Sequence, residues 1–256
     1  MTGATGLPRG EYIAASAAEP VVQSAPLPRA PTGAPVTFAP ETPRSFPPSS
    51  HAQQPVAAAH VGRHLDVVQQ EVASCTKCEL SATRSHTVFE RGNREASLCI
   101  VGEAPGADED ASGLPFVGKA GQLLDRMIAA MGLDRERDVY VCNVIKCRPP
   151  ANRKPSPAEM ATCLPYAREQ LAAVKPKVIL AMGNTAIQAL LGTTVGITKL
   201  RGQWKLYQGE TLLMPTYHPS YLLREFPGQA DAKRQVWEDL QLVMKELGVT
   251  RKSASS

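Results

Sequence analysis

The sequence predicts an α/β fold: a single three-layer domain in which a central, mainly parallel four-stranded sheet is flanked by helices. Short apolar runs typical of buried strands alternate with helical patterns along the chain. Clusters of polar residues directly follow these runs, where ligand sites of open parallel sheets are found. The alternation occupies residues 61–250, so we expect the domain there.

Residues 1–60 have a different composition from the rest. They hold 11 of the chain's 22 prolines and 13 alanines, and their three Arg and three Glu cancel, with no Lys. Such a stretch buries too little apolar surface to offset its ordering entropy. We expect a disordered tail or linker that could tether a partner, and a flexible C-terminus at residues 251–256.

The bulk composition excludes few classes of protein. The chain has 256 residues, and 28 basic against 24 acidic side chains give a net charge of +4, which does not oppose a nucleic-acid partner. No apolar run has the length of a membrane span, and the N-terminus lacks the pattern of a secretory signal, so we expect a cytoplasmic protein. Without a secretory signal, metal or cluster ligation is a better expectation for six cysteines than disulfides.

The first half of the domain contains two helical patterns and two strands. Residues 61–72 look helical and lead into Cys75. Residues 97–102 form a short apolar run that glycine ends, as expected of a buried strand. Apolar residues between positions 123 and 131 mark one face of a helix, and residues 138–145 predict the second strand.

The second half repeats the alternation. Ser156 and Glu159 form a capping-box pattern with a proline at the first helical position, and Pro165 predicts a kink or restart of that helix. Strands are expected at residues 177–181 and 211–216, a helix at 184–191, and a closing amphipathic helix at 229–247.

Three polar clusters come directly after predicted strands: residues 102–116, 143–148 and 218–224. Because the carboxyl ends of parallel strands share one edge of a sheet, these clusters should converge on one site. The first is rich in glycine and proline, which let the backbone come close to a ligand. It contains neither a dinucleotide fingerprint nor a P-loop.

Four cysteines form a candidate ligand set. Cys75 and Cys78 make a C-x2-C pair whose thiolates can reach one centre, and Cys147 and Cys163 complete the four. Zinc and a [4Fe–4S] cluster both accept four thiolates, and the spacing alone leaves the two open. The remaining two cysteines, Cys99 and Cys142, lie inside apolar strands and are expected in the core.

Three strings in order, GEAPGADEDASGLPFVGKAGQLLD, NVIKCRPPANRKP and TYHPSYLLRE, resemble the family 4 uracil-DNA glycosylases, which carry an iron–sulfur cluster. The resemblance covers roughly residues 65–247 and includes the four cysteines. It implies a uracil-DNA glycosylase-like fold, a [4Fe–4S] cluster on Cys75, Cys78, Cys147 and Cys163, and hydrolytic removal of uracil from DNA in base excision repair.

The resemblance also implies roles for the residues of the first string. Glu103, with the backbone of Gly102 and Ala104, would line the uracil and the attacking water. Phe116 would stack on the flipped base, for which an aromatic ring gives a flat apolar platform. Glu109 would crowd the uracil C5 position and exclude the methyl group of thymine.

Further roles fall on the other two strings. Asn143 would bond the O4 and N3–H of uracil, because an amide both donates and accepts. His218 would donate to uracil O2 as negative charge develops there. Leu222 or Leu223 would fill the space that the flipped base leaves. The catalytic residues are then Glu103 and His218.

Each of these residues also has an ordinary interpretation when taken alone. Glu103 and Glu109 could be solvated acids, Asn143 a turn residue, Phe116 a core residue and His218 a loop residue before proline. The pattern as a whole favours the functional interpretation. Basic residues near the strings could contact phosphates or be solvated surface charges; they are Arg148, Arg153, Lys154, Lys199, Arg201 and Arg224.

The expected reaction is monofunctional: no catalytic lysine is required, so no strand nicking is expected. Ala104 departs from other branches of the superfamily, which carry Asp or Asn at that position, so water activation must come from Glu103 or backbone groups. A relative that traps DNA covalently through a loop histidine is a rival, but residues 145–155 contain no histidine. The other alternative is a non-catalytic cluster or zinc module that binds nucleic acid or a polymerase.

We expect a monomer that acts on uracil-containing DNA near the nucleoid. The N-terminal tail could bind a repair or replication partner.

Overall fold

The computed structural model describes residues 64–250. The predicted tail at residues 1–60 and the C-terminal residues 251–256 lie outside the described residues, as does the start of the first predicted helix. Within the described range, no helix is both long enough and apolar enough to cross a membrane.

A mixed six-stranded sheet forms the middle layer, in the order β1-β3-β2-β4-β6-β5. The strands are β1 (Arg91–Gly92), β2 (Leu98–Gly102), β3 (Val139–Asn143), β4 (Val178–Met182), β5 (Lys205–Tyr207) and β6 (Thr211–Thr216). The central four run parallel, as the sequence predicts. The two short edge strands, β1 and β5, are antiparallel and were missed, because two or three residues are too few for a periodic signal.

Helices cover both faces of the sheet. The longer ones are α1 (Leu65–Ala73), α3 (Lys119–Ala130), α4 (Pro157–Val174), α5 (Gly183–Leu191) and α8 (Gln229–Leu247). Short ones are α2 (Ala107–Ser112), α6 (Ile197–Leu200) and α7 (Pro219–Leu222), with 3₁₀ turns at Glu79–Ala82 and Pro150–Asn152. The three-layer α/β prediction is therefore confirmed.

Alternation along the strands creates two separate cores. On β2, Cys99 and Val101 face a core shared with α1, α4 and α5, whereas Leu98 and Ile100 face a core shared with α3 and α8. All five residues of β2 are buried, as expected of a central parallel strand covered on both faces. Cys142 joins Cys99 in the first core, so the prediction that both are core residues is confirmed.

Helix α4 begins as its capping pattern predicts. The Ser156 side chain accepts from the backbone N–H of Glu159, and the Glu159 carboxylate accepts from the N–H of Ser156. Of the two outcomes expected at Pro165, a kink or a restart, the restart is wrong, because α4 runs unbroken through that residue. Pro165 and Ala161 are both exposed, so the carbonyl that lacks its N–H partner lies on the solvent side of the helix.

Candidate active site

Four segments at the carboxyl edge of the sheet line one cavity of about 800 Å³. They follow the four parallel strands β2, β3, β4 and β6, whose registers align Gly102 with Asn143 and Met182 with Thr216. The three predicted polar clusters thus contribute to a single cavity, and the first turn of α5, directly after β4, joins them. The crevice lies where ligands of open α/β sheets are found.

Asn143, the last residue of β3, presents a buried side-chain amide at the cavity. It is 2% exposed, lines the cavity, and its Oδ1 is buried without a hydrogen-bond partner among the described residues. A buried amide oxygen left unpaired costs free energy that a ligand with a matching donor recovers. Gly102 makes this placement possible, because a Cβ there would lie 2.3 Å from that same oxygen.

Phe116 lies in the cavity wall in a conformation that its residue type rarely adopts. Its φ is +55°, and its ring stacks on His218 with a centroid separation of 5.6 Å and an interplanar angle of 29°. A bulky residue at positive φ is strained, and such strain is concentrated at functional sites. Gly121 of α3 accommodates it: a Cβ at that position would lie 1.9 Å from the Phe116 carbonyl oxygen.

His218 has a defined tautomer. Its Nδ1 lies 3.1 Å from the backbone N of Ser220 and 2.8 Å from the Ser220 hydroxyl. Because a backbone N–H can only donate, Nδ1 is an acceptor, and Nε2 carries the proton of the neutral ring. Burial, helped by the nearby Arg224 charge, lowers the pKa of His218 to about 4. At neutral pH the ring is therefore an uncharged donor in the cavity wall.

Glu109 holds the first loop together. One carboxylate oxygen accepts from the N–H of Gly106 at 2.9 Å, and the other accepts from Val117 and Gly118, each at 2.9 Å. Glu109 also lines the cavity. Its carboxylate thus fixes the chain on both sides of α2 and, through Val117, the position of Phe116.

Glu103 and Ala104 line the same cavity directly after β2. The Glu103 backbone is tied to the neighbouring strand, since its carbonyl accepts from the N–H of Ile145 at 3.0 Å. The side chain of Glu103 is half-buried. The structure therefore brings the predicted residues Glu103, Ala104, Glu109, Phe116, Asn143 and His218 to one cavity, and Gly102 lies directly behind it.

The first turn of α5, directly after β4, is the part of the site that the sequence interpretation missed. Gly183, Asn184 and Thr185 line the cavity, and the Thr185 hydroxyl is buried with no partner among the described residues. Gly183 has φ +87°, and a Cβ there would lie 3.1 Å from His218 Cβ. A signal was present: glycine and two polar residues directly follow an apolar strand.

The two candidate wedge residues differ in exposure. Leu222 is 3% exposed and belongs to the core beneath α7, whereas Leu223 is 43% exposed. Tyr221 and Arg224, on either side of them, line the cavity. Of these two leucines, only Leu223 has a side chain that a molecule outside the protein can contact.

The flanking basic residues are of two kinds. Lys154 and Arg224 line the cavity and are exposed. Arg153 also lines the cavity, but its guanidinium donates two hydrogen bonds to the Glu159 carboxylate, at 2.6 and 2.9 Å. Arg201 instead forms an ion pair with buried Asp239, so it is a structural residue rather than a free phosphate contact. Arg148 Nε donates to Asn152 at 2.8 Å, and Lys199 is exposed.

The four cysteines of the candidate ligand set line a second, small cavity between α1, α4 and the end of β3. Arg84 Nη1 lies 3.2 Å from Cys147 Sγ, and the backbone N–H of Lys146 lies 3.3 Å from Cys163 Sγ. Burial raises the pKa of Cys163 to about 11 and also raises that of Cys147. Among residues 64–250, no three His, Cys, Asp or Glu side chains are arranged as ligands of one metal ion.

Taken together, these features define the class of protein: an α/β protein with a cavity at the carboxyl edge of its sheet. An aromatic side chain, a buried amide with an unpaired oxygen and a neutral imidazole line that cavity.

Comparison with known proteins gives the family. The family model described as "Uracil DNA glycosylase superfamily" matches residues 89–241. A type-4 uracil-DNA glycosylase of Thermotoga maritima is 43% identical over 178 residues, which cover 69% of this chain and 91% of that protein. One of Archaeoglobus fulgidus is 44% identical over 62% of this chain and 83% of that protein. A type-5 uracil-DNA glycosylase of Pyrobaculum aerophilum is 32% identical over 51% of this chain and 64% of that protein. The chain belongs to the uracil DNA glycosylase superfamily and, within it, to the type-4 uracil-DNA glycosylases.

Proposed function

We propose that the protein removes uracil from DNA by hydrolysing the bond between the base and its sugar, as the names of its relatives indicate for them. The observation that carries the proposal is the buried, unpaired Asn143 oxygen in a cavity that Phe116 and His218 also line. Uracil offers a polar edge for the amide, a flat face for the ring and an O2 atom for the imidazole.

The base reaches the cavity by leaving the DNA double helix, and unstacking it costs a few kcal/mol. Phe116 gives the base a flat face, and the Asn143 amide selects the edge that carries O4 and N3–H. Leu223 is the wedge that fills the vacated space, since Leu222 is in the core. Lys154 and Arg224, exposed at the cavity, contact the phosphates.

His218 stabilises the leaving group. As the glycosidic bond breaks, negative charge accumulates on uracil, and the Nε2–H of a neutral imidazole donates to O2. A neutral donor stabilises that charge without itself losing a proton. Water then attacks C1′, with Glu103 of the cavity wall as the residue that orients it. No lysine forms a covalent intermediate, so the DNA backbone stays intact.

Glu109 has two roles in the proposal. Its three backbone contacts fix the loop that carries Phe116, and its side chain occupies part of the cavity wall. There it leaves no room for the C5 methyl group of thymine.

Cys75, Cys78, Cys147 and Cys163 would hold a [4Fe–4S] cluster. The support is their common cavity, the donors from Arg84 and Lys146 to two of the sulfurs, and the family resemblance. A cluster is larger than one ion, so its cysteine sulfurs need not meet at bonding distance from a single point. When bound, the cluster would join the loop after α1, the end of β3 and helix α4 through metal–sulfur bonds.

The proposal is tested with oligonucleotides that carry one uracil, thymine or cytosine at the same position. Incubation followed by alkali should cleave only the uracil strand, and without alkali that strand should stay whole. Cleavage without alkali would contradict the monofunctional reaction. No cleavage at uracil by folded protein would favour the non-catalytic binding module instead.

A further inference from the structure

Lys146 is a buried charged residue to which the proposed reaction assigns no role. It is 1% exposed. In the sequence it lies between Asn143, which lines the large cavity at the carboxyl edge of the sheet (the base cavity), and Cys147, which lines the small cavity of the four cysteines (the cysteine cavity). A buried ammonium is costly unless hydrogen bonds replace its water. Its contacts therefore indicate what the charge does there.

The ammonium group of Lys146 takes part in a buried network of hydrogen bonds. Nζ donates to the backbone carbonyl of Asn143 at 2.5 Å and to the side-chain oxygen of Gln170 on α4. The Gln170 amide in turn donates to the Tyr140 hydroxyl at 2.8 Å and to the Phe89 carbonyl at 3.0 Å. Asn143, Gln170 and Tyr140 are all at most 2% exposed. The network thus ties the end of β3 to helix α4 in the protein interior.

The backbone of Lys146 makes a second set of contacts. Its N–H points at Cys163 Sγ at 3.3 Å, and its carbonyl accepts from the N–H of Val88 at 2.8 Å. Lys146 also lines the cysteine cavity. One residue therefore touches both the cysteine set and the residue whose side-chain amide faces the base cavity.

We propose that Lys146 is a positioning residue that fixes the orientation of the Asn143 amide and connects it to the cysteine cavity. The inference rests on the proposed function, because it assumes that Asn143 reads the base. Beyond Asn143, the backbone is already tied to β2 through the N–H groups of Val144 and Ile145. The bond from Lys146 adds a charged donor to the carbonyl of Asn143 itself, and charge-assisted hydrogen bonds are the stronger ones.

A merely structural role predicts a different outcome from a positioning role. Replacing Lys146 alone by Met leaves the Asn143 carbonyl and the Gln170 side-chain oxygen without this donor, which costs stability. A merely structural role therefore predicts a Lys146→Met variant that melts at a lower temperature but keeps the wild-type rate while it is folded. A positioning role predicts that the folded variant also reacts more slowly, because small misplacements of a substrate contact reduce rates by as much as about 100-fold.

The first experiment compares Lys146→Met with Lys205→Met, a matched change at a half-buried lysine of edge strand β5. We expect the single-turnover rate on uracil DNA to fall about 10- to 100-fold in Lys146→Met and to stay within about twofold in Lys205→Met. Inhibition by free uracil should weaken together with the rate, while iron content stays unchanged. Unchanged rate and uracil affinity would overturn the proposal.

A double-mutant comparison separates action through Asn143 from general damage. If Lys146 acts through that amide, adding Lys146→Met to an Asn143→Ala variant should change the rate less than about twofold. An equal loss in both backgrounds would overturn the proposal. Should Lys146→Met not fold, Gln170→Met, which removes the far anchor of the ammonium, takes its place in the same comparison.

A crystal structure of Lys146→Met makes the test independent of the reaction. The proposal requires a turned or displaced Asn143 amide, and an Asn143 that has not moved overturns it. If the wild-type protein does not excise uracil but the amide moves, the proposed function fails while the positioning role of Lys146 stands.

Discussion

At the scale of single residues, the candidate site contains three residues in states that cost free energy. Asn143 has an unpaired oxygen, His218 is held neutral, and Phe116 is at positive φ. Each state costs free energy in the folded protein, and a bound base would recover part of it. These costs favour the functional interpretation of the three positions over the ordinary one, in which they are a turn residue, a loop residue and a core residue.

The pKa of His218 predicts the pH dependence of the reaction. Because burial lowers that pKa to about 4, the neutral donor persists well below the usual histidine range. We expect single-turnover rates at saturating DNA to stay level as pH falls from 8 to about 5, with the acid limb centred near 4. An Arg224→Gln variant should shift the limb upwards, since Arg224 is the second cause of the lowered pKa. A limb centred near 6.5, the ordinary value, would contradict the assignment.

The same lowered pKa affects stability. The unfolded chain takes up a proton near pH 6.5, whereas the folded chain resists protonation until about pH 4. The contribution of His218 to stability is therefore complete above the unfolded value and is lost as pH falls through that window.

At the scale of elements, the site is assembled by short segments that have little periodic signal. The four parallel strands and the long helices follow from apolar patterns and capping residues, such as Ser156 and Glu159, so the sequence predicts them. The edge strands β1 and β5 and the short helices α2, α6 and α7 are too short to give a periodic apolar signal. The role of Glu109 is not visible in the sequence for another reason: besides capping α2 at Gly106, its carboxylate bonds backbone groups eight and nine residues away.

We predict that a Glu109→Ala variant loosens the loop between β2 and α3. The substitution removes the carboxylate that accepts hydrogen bonds from three backbone N–H groups. The free energy of unfolding should therefore fall by about 1–3 kcal/mol. Urea unfolding measures this, with Asp108→Ala, an exposed acid in the same first turn, as the control. Equal stabilities of the two variants would contradict the role. Thymine excision by Glu109→Ala would support its second role as a barrier to the methyl group.

At the scale of the whole molecule, two cavities lie at the same end of β3: the base cavity at Asn143 and the cysteine cavity at Cys147. Polar clusters after strands predict where the first cavity lies, and the C-x2-C pair with two later cysteines predicts the second. The spacing of the four cysteines does not distinguish a zinc ion from a cluster. It also does not indicate that Lys146 connects the two cavities in the protein interior. Such a connection depends on how α4 packs against β3, which only the folded chain defines.

Loss of one cysteine of the set should affect the whole molecule. Cys163 lies on α4, and a cluster there would join that helix to the loop after α1 and to the end of β3. A Cys163→Ala variant should lose its iron and melt at a lower temperature, whereas the core variant Cys99→Ala should keep its iron. Metal analysis and thermal unfolding test this. Zinc in the wild-type protein would contradict the cluster, and an equally stable, iron-free Cys163→Ala would contradict its structural role.

The measurement that tests the central claim most directly is single-turnover excision on a DNA with one uracil, by the wild-type protein and a His218→Ala variant. We predict alkali-labile cleavage at uracil by the wild-type protein, and a rate about 100- to 1,000-fold lower in the variant, as expected when a donor to a developing oxyanion is removed. Thermal unfolding of both proteins controls for folding. Equal rates for two folded proteins would show that the Nε2–H of His218 does not stabilise the leaving base, and would contradict the proposed reaction.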